Sequence, residues 1–264
     1  MKNRSIYELN HLPPPERTRI YRSLIPPSLF SALGIDRNTF LNRSGEKVIQ
    51  FHTPESHGFV SIDVKEGADD PDSIFFLQLS DTPFMDNLEL SFVVINDPMG
   101  ERYNIDRDPQ GRDTLFGTTL RNIPEEEKAM KAGLAPGQVR PGLRLLQEML
   151  GLLERFASRL GTSIISCEAL FYHNAVKYEQ YGFGYLEGRK MMEEIDRGFF
   201  FPEGGLYEKL DHSTPFRRKG AEKTVRGRSW AIQDGILGKP WSSPRLYKPV
   251  GKSVGVNTFH GQGF

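Results

Sequence analysis

The order of two kinds of hydrophobic periodicity constrains this fold more than any other feature of the sequence. Four strand-like segments come first: EKVIQFHT (46–53), GFVSIDVKE (58–66), SIFFLQLS (73–80) and LELSFVVIN (88–96). Val60, Ile62 and Val64 alternate with polar residues, which is the period-two pattern of a half-buried antiparallel strand. The fourth segment is continuously apolar over 92–95, which predicts a position nearer the centre of a sheet.

A helix-period stripe follows the strands. Apolar residues recur at three-four spacing: Leu146, Met149, Leu150, Leu153, Phe156, Ala157 and Leu160. Pro141 fits the first helical position and Gly161 lies just past the end, so the sequence predicts a helix of about 20 residues and about 30 Å. SIISCEAL (163–170) is a short apolar strand, and a short helix and a further strand from 184 come after it. This order predicts an α+β fold with a mixed sheet and a right-handed crossover through the long helix.

The chain divides into three predicted segments. Residues 1–46 are Pro-punctuated and predict an N-terminal helical arm, with helices near Pro15–Ile25 and Pro27–Ile35. Residues 47–212 form the main domain, and 213–264 form a Gly- and Pro-rich C-terminal arm. An insertion at 97–137 interrupts the main domain, and IPEEEKAMKAG within it predicts a short helix. A connection of this length is unusual, which favours a functional flap or a subunit contact over a plain linker.

The net charge of zero hides an asymmetry between the two parts of the chain. Residues 213–264 hold ten Lys and Arg and two acidic residues, which leaves +8 in this segment and −8 in residues 1–212. A segment with no sustained periodicity does not bury enough apolar surface by itself to fold. We therefore expect an extended arm that packs over the acidic body, across a homodimer contact. Basic residues interleaved with aromatics make nucleic acid the alternative partner, although no nucleic-acid-binding motif accompanies them.

The composition argues against several other classes. A single cysteine, Cys167, excludes an internal disulfide framework and a cysteine-based zinc site, and the six histidines show no metal-ligand spacing, so no metal is expected. No run approaches the 18 apolar residues of a membrane span, and the N-terminus lacks the apolar core of a signal peptide. These features predict a cytoplasmic protein without a membrane partner.

The stretch YEQYGF (178–183) joins a helix end to a strand. Gly182 can adopt the left-handed conformation that closes a helix, and Phe183 can then fold back as the hydrophobic contact of that cap. The order of the predicted elements resembles that of the GNAT-type acyl-CoA N-acyltransferases. It consists of four antiparallel strands, a long helix, a strand, a short helix ending in Tyr-x-x-x-Gly-Phe, and a further strand. The resemblance covers about residues 47–187 and implies a three-layer α/β/α domain.

The resemblance implies a site as well as a fold. Tyr178 would protonate the departing thiolate of acetyl-CoA or a longer acyl-CoA, and the loop before the long helix would hold the pyrophosphate. The coenzyme-binding residues implied in this chain are Gln138, Val139, Arg140, Gly142, Leu143, Arg144 and Asn174. The chain departs from the family motif at Val139, where Gln or Arg is expected, and at Arg144, where Gly or Ala is expected. Phe171 occupies the position where the family usually has an asparagine, and Asn174 is the asparagine nearest to it in the sequence.

Each implied role has a plainer alternative. Tyr178 is either the general acid or an aromatic that seals the helix against the sheet. Residues 137–142 are either an anion cradle or a simple loop, and Glu89 is either the base that deprotonates an amine or a solvated strand residue. His173 is interpreted as a helix-cap or surface residue, and Cys167 is interpreted as an unreactive residue of the core. The predicted function is therefore N-acylation of a small-molecule or peptide amine. A degenerate GNAT-like fold that serves as a binding or assembly module is the alternative.

Overall fold

The computed structural model describes residues 5–84, 86–114, 120–200 and 205–264, so parts of the predicted N-terminal arm (1–4) and insertion (115–119) lie outside the described residues. These residues contain nine α-helices and seven β-strands. In chain order they are α1 Ile6–Asn10, α2 Pro14–Arg22, α3 Pro27–Leu33, β1 Ile49–His52, β2 Phe59–Val64, β3 Phe75–Asp81, β4 Asn87–Ile95, α4 Ile123–Lys131, α5 Leu146–Leu160, β5 Ile164–Glu168, α6 Tyr172–Gln180, β6 Gly184–Glu187, α7 Arg189–Gly198, α8 Gly205–Glu208, α9 Val225–Gln233 and β7 Arg245–Pro249.

Backbone contacts group the chain into two compact units. The first unit comprises Met1–Met99, Gly142–Cys167 and Lys248–Lys252, and the second comprises Gly100–Pro141, Glu168–Tyr247 and Ser253–Phe264. This grouping follows packing rather than chain order. The division into 1–46, 47–212 and 213–264 stays a prediction.

The first unit contains a mixed five-stranded arrangement in the order β1-β2-β3-β4-β5. The first four strands pair antiparallel, and β4 pairs parallel with β5 over Asn87–Leu90 and Ile164–Cys167. Val60, Ile62 and Val64 are all buried, which confirms the period-two prediction for β2. A parallel pair needs a crossover connection, and α5 lies between β4 and β5 in the chain, so the predicted mixed pairing is also confirmed.

Strand β4 lies inside the sheet, but its second half is less buried than its first. β4 has a strand on each side, β3 and β5, so the prediction that it lies nearer the centre of the sheet is confirmed. Leu88 and Leu90 are buried, but Ser91–Ile95 are only half-buried. In the first unit, the pairing of β4 with β5 ends at Leu90. No described strand of that unit pairs with the edge of Ser91–Ile95 that faces away from β3. The sequence pattern alone did not reveal how far the partner strand extends.

Helix α5 carries the predicted stripe but begins later than expected. Its buried residues are Met149, Leu150, Leu153, Phe156, Ala157 and Leu160, and it ends at Gly161 with φ 80°. It begins at Leu146 rather than at Pro141 and has 15 residues, so its length is about 22 Å rather than 30 Å. Arg144 has φ 60°, which is incompatible with helix, and this residue separates Pro141 from the first turn.

The predicted N-terminal helices are confirmed to within a few residues as α2 and α3. Each begins at a proline, whose fixed φ suits the first helical position and whose missing N–H is not needed there. Helix α1, which the sequence did not suggest, begins after Ser5 in a capping box with Glu8. Asp81 at the end of β3 also accepts hydrogen bonds from the backbone N–H groups of Ile6 and Tyr7 at 2.8 Å.

The second unit has a separate small core made by residues far apart in sequence. The predicted short helix of the insertion is present as α4. The buried residues of this core are Tyr103, Ile105, Ala129, Leu134, Phe216 and Trp230. The indole N–H of Trp230 donates to the carbonyl oxygen of Leu134 at 2.8 Å. Residues of the insertion and of the C-terminal segment therefore share one core.

The C-terminal segment is not the extended arm that the sequence predicted. It contains α9, capped by the Thr224 side chain, and β7, which pairs antiparallel with β6. Trp230 and Phe216 are buried against residues from the insertion, so the missing apolar partners come from elsewhere in the same unit. The homodimer contact stays a prediction. Among the described residues, no helix is both long enough and apolar enough to cross a bilayer.

Candidate active site

The end of α6 is a Schellman cap. Gly182 has φ 86°; its N–H donates to the Glu179 carbonyl at 2.8 Å, while the Phe183 N–H donates to the Tyr178 carbonyl at 3.1 Å. The Phe183 ring packs against the Tyr178 ring with centroids 5.0 Å apart. These are the two hydrogen bonds and the hydrophobic contact that define this motif, so the helix-end prediction is confirmed.

The Tyr178 side chain therefore has a structural role. Its ring is buried and is the hydrophobic partner of Phe183 in the cap. Its role as a general acid stays a prediction.

Asn174 and His173 are engaged inside the second unit. The Asn174 side-chain oxygen accepts the Phe171 N–H at 3.1 Å, and its amide group lies 3.2 Å from His173 Nε2. His173 Nδ1 lies 3.0 Å from the buried hydroxyl of Ser229. His173 is buried, so the interpretation as a surface residue is wrong, and burial lowers its pKa to about 3. This histidine is neutral at pH 7.

Glu179 is a buried carboxylate that the sequence interpretation missed. It accepts hydrogen bonds from the hydroxyl and backbone N–H of Thr258 at 2.6 and 2.9 Å, and from the Tyr185 hydroxyl. Burial, followed by the charge of Glu179, raises the pKa of Tyr185. A negative charge in the last turn of a helix is unfavourable because of the helix dipole. The position of Glu179 near the end of α6 was therefore the one feature of the sequence that could have marked it as unusual.

The loop before Pro141 uses its predicted coenzyme-binding side chains internally. Gln138 accepts the Ala135 N–H at 2.7 Å, and Arg140 donates to the Gly100 carbonyl at 2.6 Å. Val139 packs on the small core, and its carbonyl accepts the Tyr103 N–H at 2.8 Å. This packing explains an apolar residue where the family motif has Gln or Arg.

Gly142, Leu143 and Arg144 belong to the first unit, where they precede α5. A Cβ on Gly142 would lie 3.2 Å from the Ile95 carbonyl oxygen, so the loop passes close to the end of β4. Arg144 is exposed and adopts the left-handed conformation that favours glycine, at the position where the family has Gly or Ala. The strain of this backbone conformation is of the kind often held at functional sites.

The start of α5 has free donors and one competing carboxylate. Among the described residues, no side-chain cap hydrogen bond is made at its N-terminus, where the first backbone N–H groups of a helix have no intrahelical partner. Glu148, in the first turn, accepts from the Ser28 hydroxyl at 2.6 Å. A helix N-terminus favours an anion, and the Glu148 charge reduces that preference.

Glu89 lies on β4 beside a β-bulge. The pairing of β4 with β3 shifts between Leu90 and Phe92, so Ser91 is the extra residue of the bulge, and its hydroxyl lies 2.8 Å from that of Ser80. Ser80 and Ser166 flank Glu89 in register on the neighbouring strands. Ser166 is buried, and its hydroxyl has no hydrogen-bond partner among the described residues. The bulge could not be predicted from the residue pattern, because apolar residues follow Ser91 on both faces of the strand.

The predicted site residues divide between the units. Glu89, Gly142, Leu143 and Arg144 lie in the first unit, and Gln138, Val139, Arg140, Asn174 and Tyr178 lie in the second. Cys167 is buried in β5, and burial raises the pKa of its thiol, in agreement with the prediction of inert core. Within the described ranges, no cluster of three or more His, Cys, Asp or Glu side chains has the geometry of a metal site. No protein-family model, curated protein or solved structure matches this chain.

Proposed function

We propose that this protein is an acyl-CoA-dependent N-acyltransferase that transfers acyl groups to an amine by direct attack on the thioester. The observation that carries the proposal is the geometry of β4. Its ladder with β5 stops at Leu90, a bulge follows at Ser91, and the rest of the strand is half-buried. An unpaired strand edge offers backbone N–H and C=O groups in a row, which suits an extended amide-containing ligand such as the pantetheine arm.

The bulge also supports a role in catalysis. Bulges re-aim backbone groups and are frequent beside active sites. A backbone N–H turned away from the ladder at this point would polarise the thioester carbonyl as the amine attacks and negative charge develops on oxygen. No side chain is required for this step, which is compatible with the departures of this chain from the family motif.

The loop before α5 supports coenzyme binding at the far end of the same strand. A Cβ at Gly142 would lie 3.2 Å from the Ile95 carbonyl oxygen, so the loop passes close to the end of β4. The start of α5 follows, where the described residues make no side-chain cap hydrogen bond. Arg144 adds an exposed guanidinium beside the helix start. Backbone donors, the helix dipole and a cation together favour a pyrophosphate.

Proton transfers complete the proposed reaction. Tyr178 would give its proton to the departing thiolate, and Glu89 would accept the proton of the attacking amine, directly or through one water molecule. The acidic excess of residues 1–212 favours a cationic small-molecule or peptide amine by long-range attraction.

Ligand-induced stabilisation tests coenzyme binding. The full-length protein is unfolded in urea with and without acetyl-CoA, octanoyl-CoA and desulfo-CoA. At a ligand concentration about a hundredfold above Kd, the free energy of unfolding should rise by about 2.7 kcal/mol. Arg144→Gln should weaken this effect because it removes the charge and keeps a side chain at the same backbone angle. Arg155→Gln, on the exposed face of α5, is the matched control.

Thiol release from acyl-CoA, followed with a disulfide reagent over a panel of amines, tests turnover. The background is low because the single cysteine is buried. Tyr178→Phe keeps the ring contact with Phe183 and should lower turnover about 10²–10⁴-fold, while Tyr181→Phe should leave it unchanged. Equal turnover of the Tyr178→Phe variant and the unmodified protein would remove Tyr178 from the mechanism.

A binding or assembly module is the second candidate. The observations that favour it are the internal engagement of the Asn174 amide and of the Gln138 side chain, and the bulky Arg144 at a glycine position. For this candidate, none of the acyl-CoAs stabilises the protein and no thiol is released with any amine. Stabilisation by acyl-CoA without thiol release would instead support coenzyme binding without transfer.

A further inference from the structure

A groove in the first unit lies between the N-terminal helices and the C-terminal end of α5. Its volume is about 870 Å³, which is within the usual range of small-molecule sites. Its floor is apolar and includes Leu9, Phe30 and Phe156, whose side chains pack into the core of the unit. The groove is therefore concave, of ligand size and apolar at its base.

The rim of the groove is strongly basic. Four guanidinium groups line it, those of Arg19, Arg22, Arg37 and Arg159, against the single carboxylate of Glu16. Arginine is well suited to bind carboxylate or phosphate, because its planar fork donates two parallel hydrogen bonds to such groups. The charge of the rim selects an anion.

Two of these arginines are fixed in place by the protein. Arg22 donates to the Arg37 carbonyl at 3.0 Å and to the Asn38 side chain at 3.2 Å. Arg37 donates to the Pro27 carbonyl at 3.2 Å and lies over the Phe30 ring, 5.2 Å from its centroid. These contacts use only some of the five N–H donors of each guanidinium group, so others remain for a ligand. Because the two side chains are already held in place, a ligand would cost them less conformational entropy on binding.

The other two arginines are unengaged. Arg19 and Arg159 are exposed, and neither has a hydrogen bond or an ion pair within the part of the chain that the structure describes. They come from α2 and from the last turn of α5, so their side chains approach the same groove from different elements. The groove therefore combines guanidinium N–H donors that lack a partner in the described chain with an apolar floor. A ligand with an anionic head and an apolar body would contact both.

We propose that this groove binds a small amphiphilic anion, with one carboxylate or phosphate group at the arginines and an aliphatic chain or ring system on the floor. We expect a single bound molecule, because the groove is concave and its volume is that of one small-molecule site. It is independent of the proposed acyltransferase. The residues proposed for the pyrophosphate precede the first turn of α5, whereas the groove borders its C-terminal turns, about 15–20 Å further along the helix axis.

Calorimetry with the full-length protein tests the proposal. Laurate and dodecyl phosphate, below their micellar concentrations, should each bind at one molecule per chain. Acetate lacks the apolar body and dodecanol lacks the charge, so each should bind at least tenfold more weakly. The combined substitution Arg19→Gln and Arg159→Gln should weaken laurate binding about tenfold or more, because hydrogen bonds to charged groups are lost. Both positions are exposed, so the melting temperature should stay unchanged.

Arg155→Gln is the control, since Arg155 is an exposed arginine one turn away on α5 that does not line the groove. An equal loss in the control and in the double variant would mean non-specific charge attraction and would overturn the proposal. Competition between laurate and CoA for one site, unaffected by the double substitution, would place the anion at the coenzyme site and also overturn it. Binding to anionic vesicles without binding of monomeric laurate would identify the groove as a membrane-surface contact instead.

Discussion

The two units bury different chemistry. Among the described residues, the first unit buries one charged side chain, Lys248, which lies 3.5 Å from Glu154. The second unit buries five charged side chains: Asp108, Glu126, Glu179, Asp196 and Arg228. The first unit is held mainly by strands and helices that bury one apolar face, and the second is held to a larger extent by polar contacts between distant segments.

The Asp196–Arg228 pair illustrates the second kind of packing. Arg228 donates to Asp196 at 2.5 Å and lies over the Phe199 and Phe259 rings, and Asp196 also accepts from the His260 backbone at 3.1 Å. Burial alone would raise the pKa of Asp196, but the hydrogen bonds from Arg228 and His260 hold it below its usual value. We therefore expect the stability of the first unit to be sensitive to lost side-chain volume and that of the second unit to lost charge.

The largest effect is expected from Arg228→Met. This change leaves the Asp196 carboxylate buried without its cation, which costs about 3–5 kcal/mol. Both tryptophans, Trp230 and Trp241, belong to the second unit, so the tryptophan-fluorescence transition in urea reports on it. In combination with Asp196→Asn, the loss should be smaller than the sum of the single losses. Strict additivity would contradict the coupling of the two groups.

The matching change in the first unit is Leu153→Ala. Leu153 is fully buried in α5, so the substitution should cost about 2–5 kcal/mol through lost burial and the cavity that remains. The loss should be the same at low and high salt, and should appear in the far-ultraviolet circular dichroism transition. A loss that depends on salt would contradict the assignment of the first unit to apolar packing.

Acidification tests the neutral buried histidine of the second unit. The pKa of His173 is about 3 in the folded chain, against about 6.5 when unfolded, so the unfolded state takes up the proton first as pH falls. The stability contributed by this group is complete above about pH 7 and decreases towards pH 3. Between pH 7 and 5 the loss should be about 2 kcal/mol. A His173→Gln variant should lack this part of the pH dependence, and an unchanged slope would show that the histidine charges in the folded state.

The smallest effects compare two glycines. Gly182→Ala places a Cβ at φ 86° in the Schellman cap of the second unit and should cost about 1–2 kcal/mol. Gly151→Ala lies inside α5, where an added Cβ meets only Arg155 at 3.6 Å, so it should stabilise the first unit by about 0.5–1 kcal/mol. Both are measured by urea unfolding. If both substitutions changed the free energy of unfolding in the same direction, the left-handed conformation assigned to Gly182 at the end of α6 would be contradicted.

The features that depend on neighbours along the chain could be predicted from the sequence alone. The alternation of Val60, Ile62 and Val64 fixed the buried face of β2, the three-four stripe fixed the buried face of α5, and Gly182 with Phe183 fixed the end of α6. Each depends on residues within a few positions of one another, so the backbone period and the cap chemistry suffice to predict them.

The features that depend on distant partners became visible only in the folded chain. The bulge at Ser91 belongs to the pairing of β4 with β3, and the strand after it is half-buried where the pairing with β5 has ended. The later start of α5 follows from the left-handed conformation of Arg144. The order of the C-terminal segment depends on Leu134, nearly a hundred residues before Trp230, which accepts its indole N–H. Local periodicity carries no information about such pairings, because the free energy that orders these segments comes from burial against residues that only the folded chain brings together.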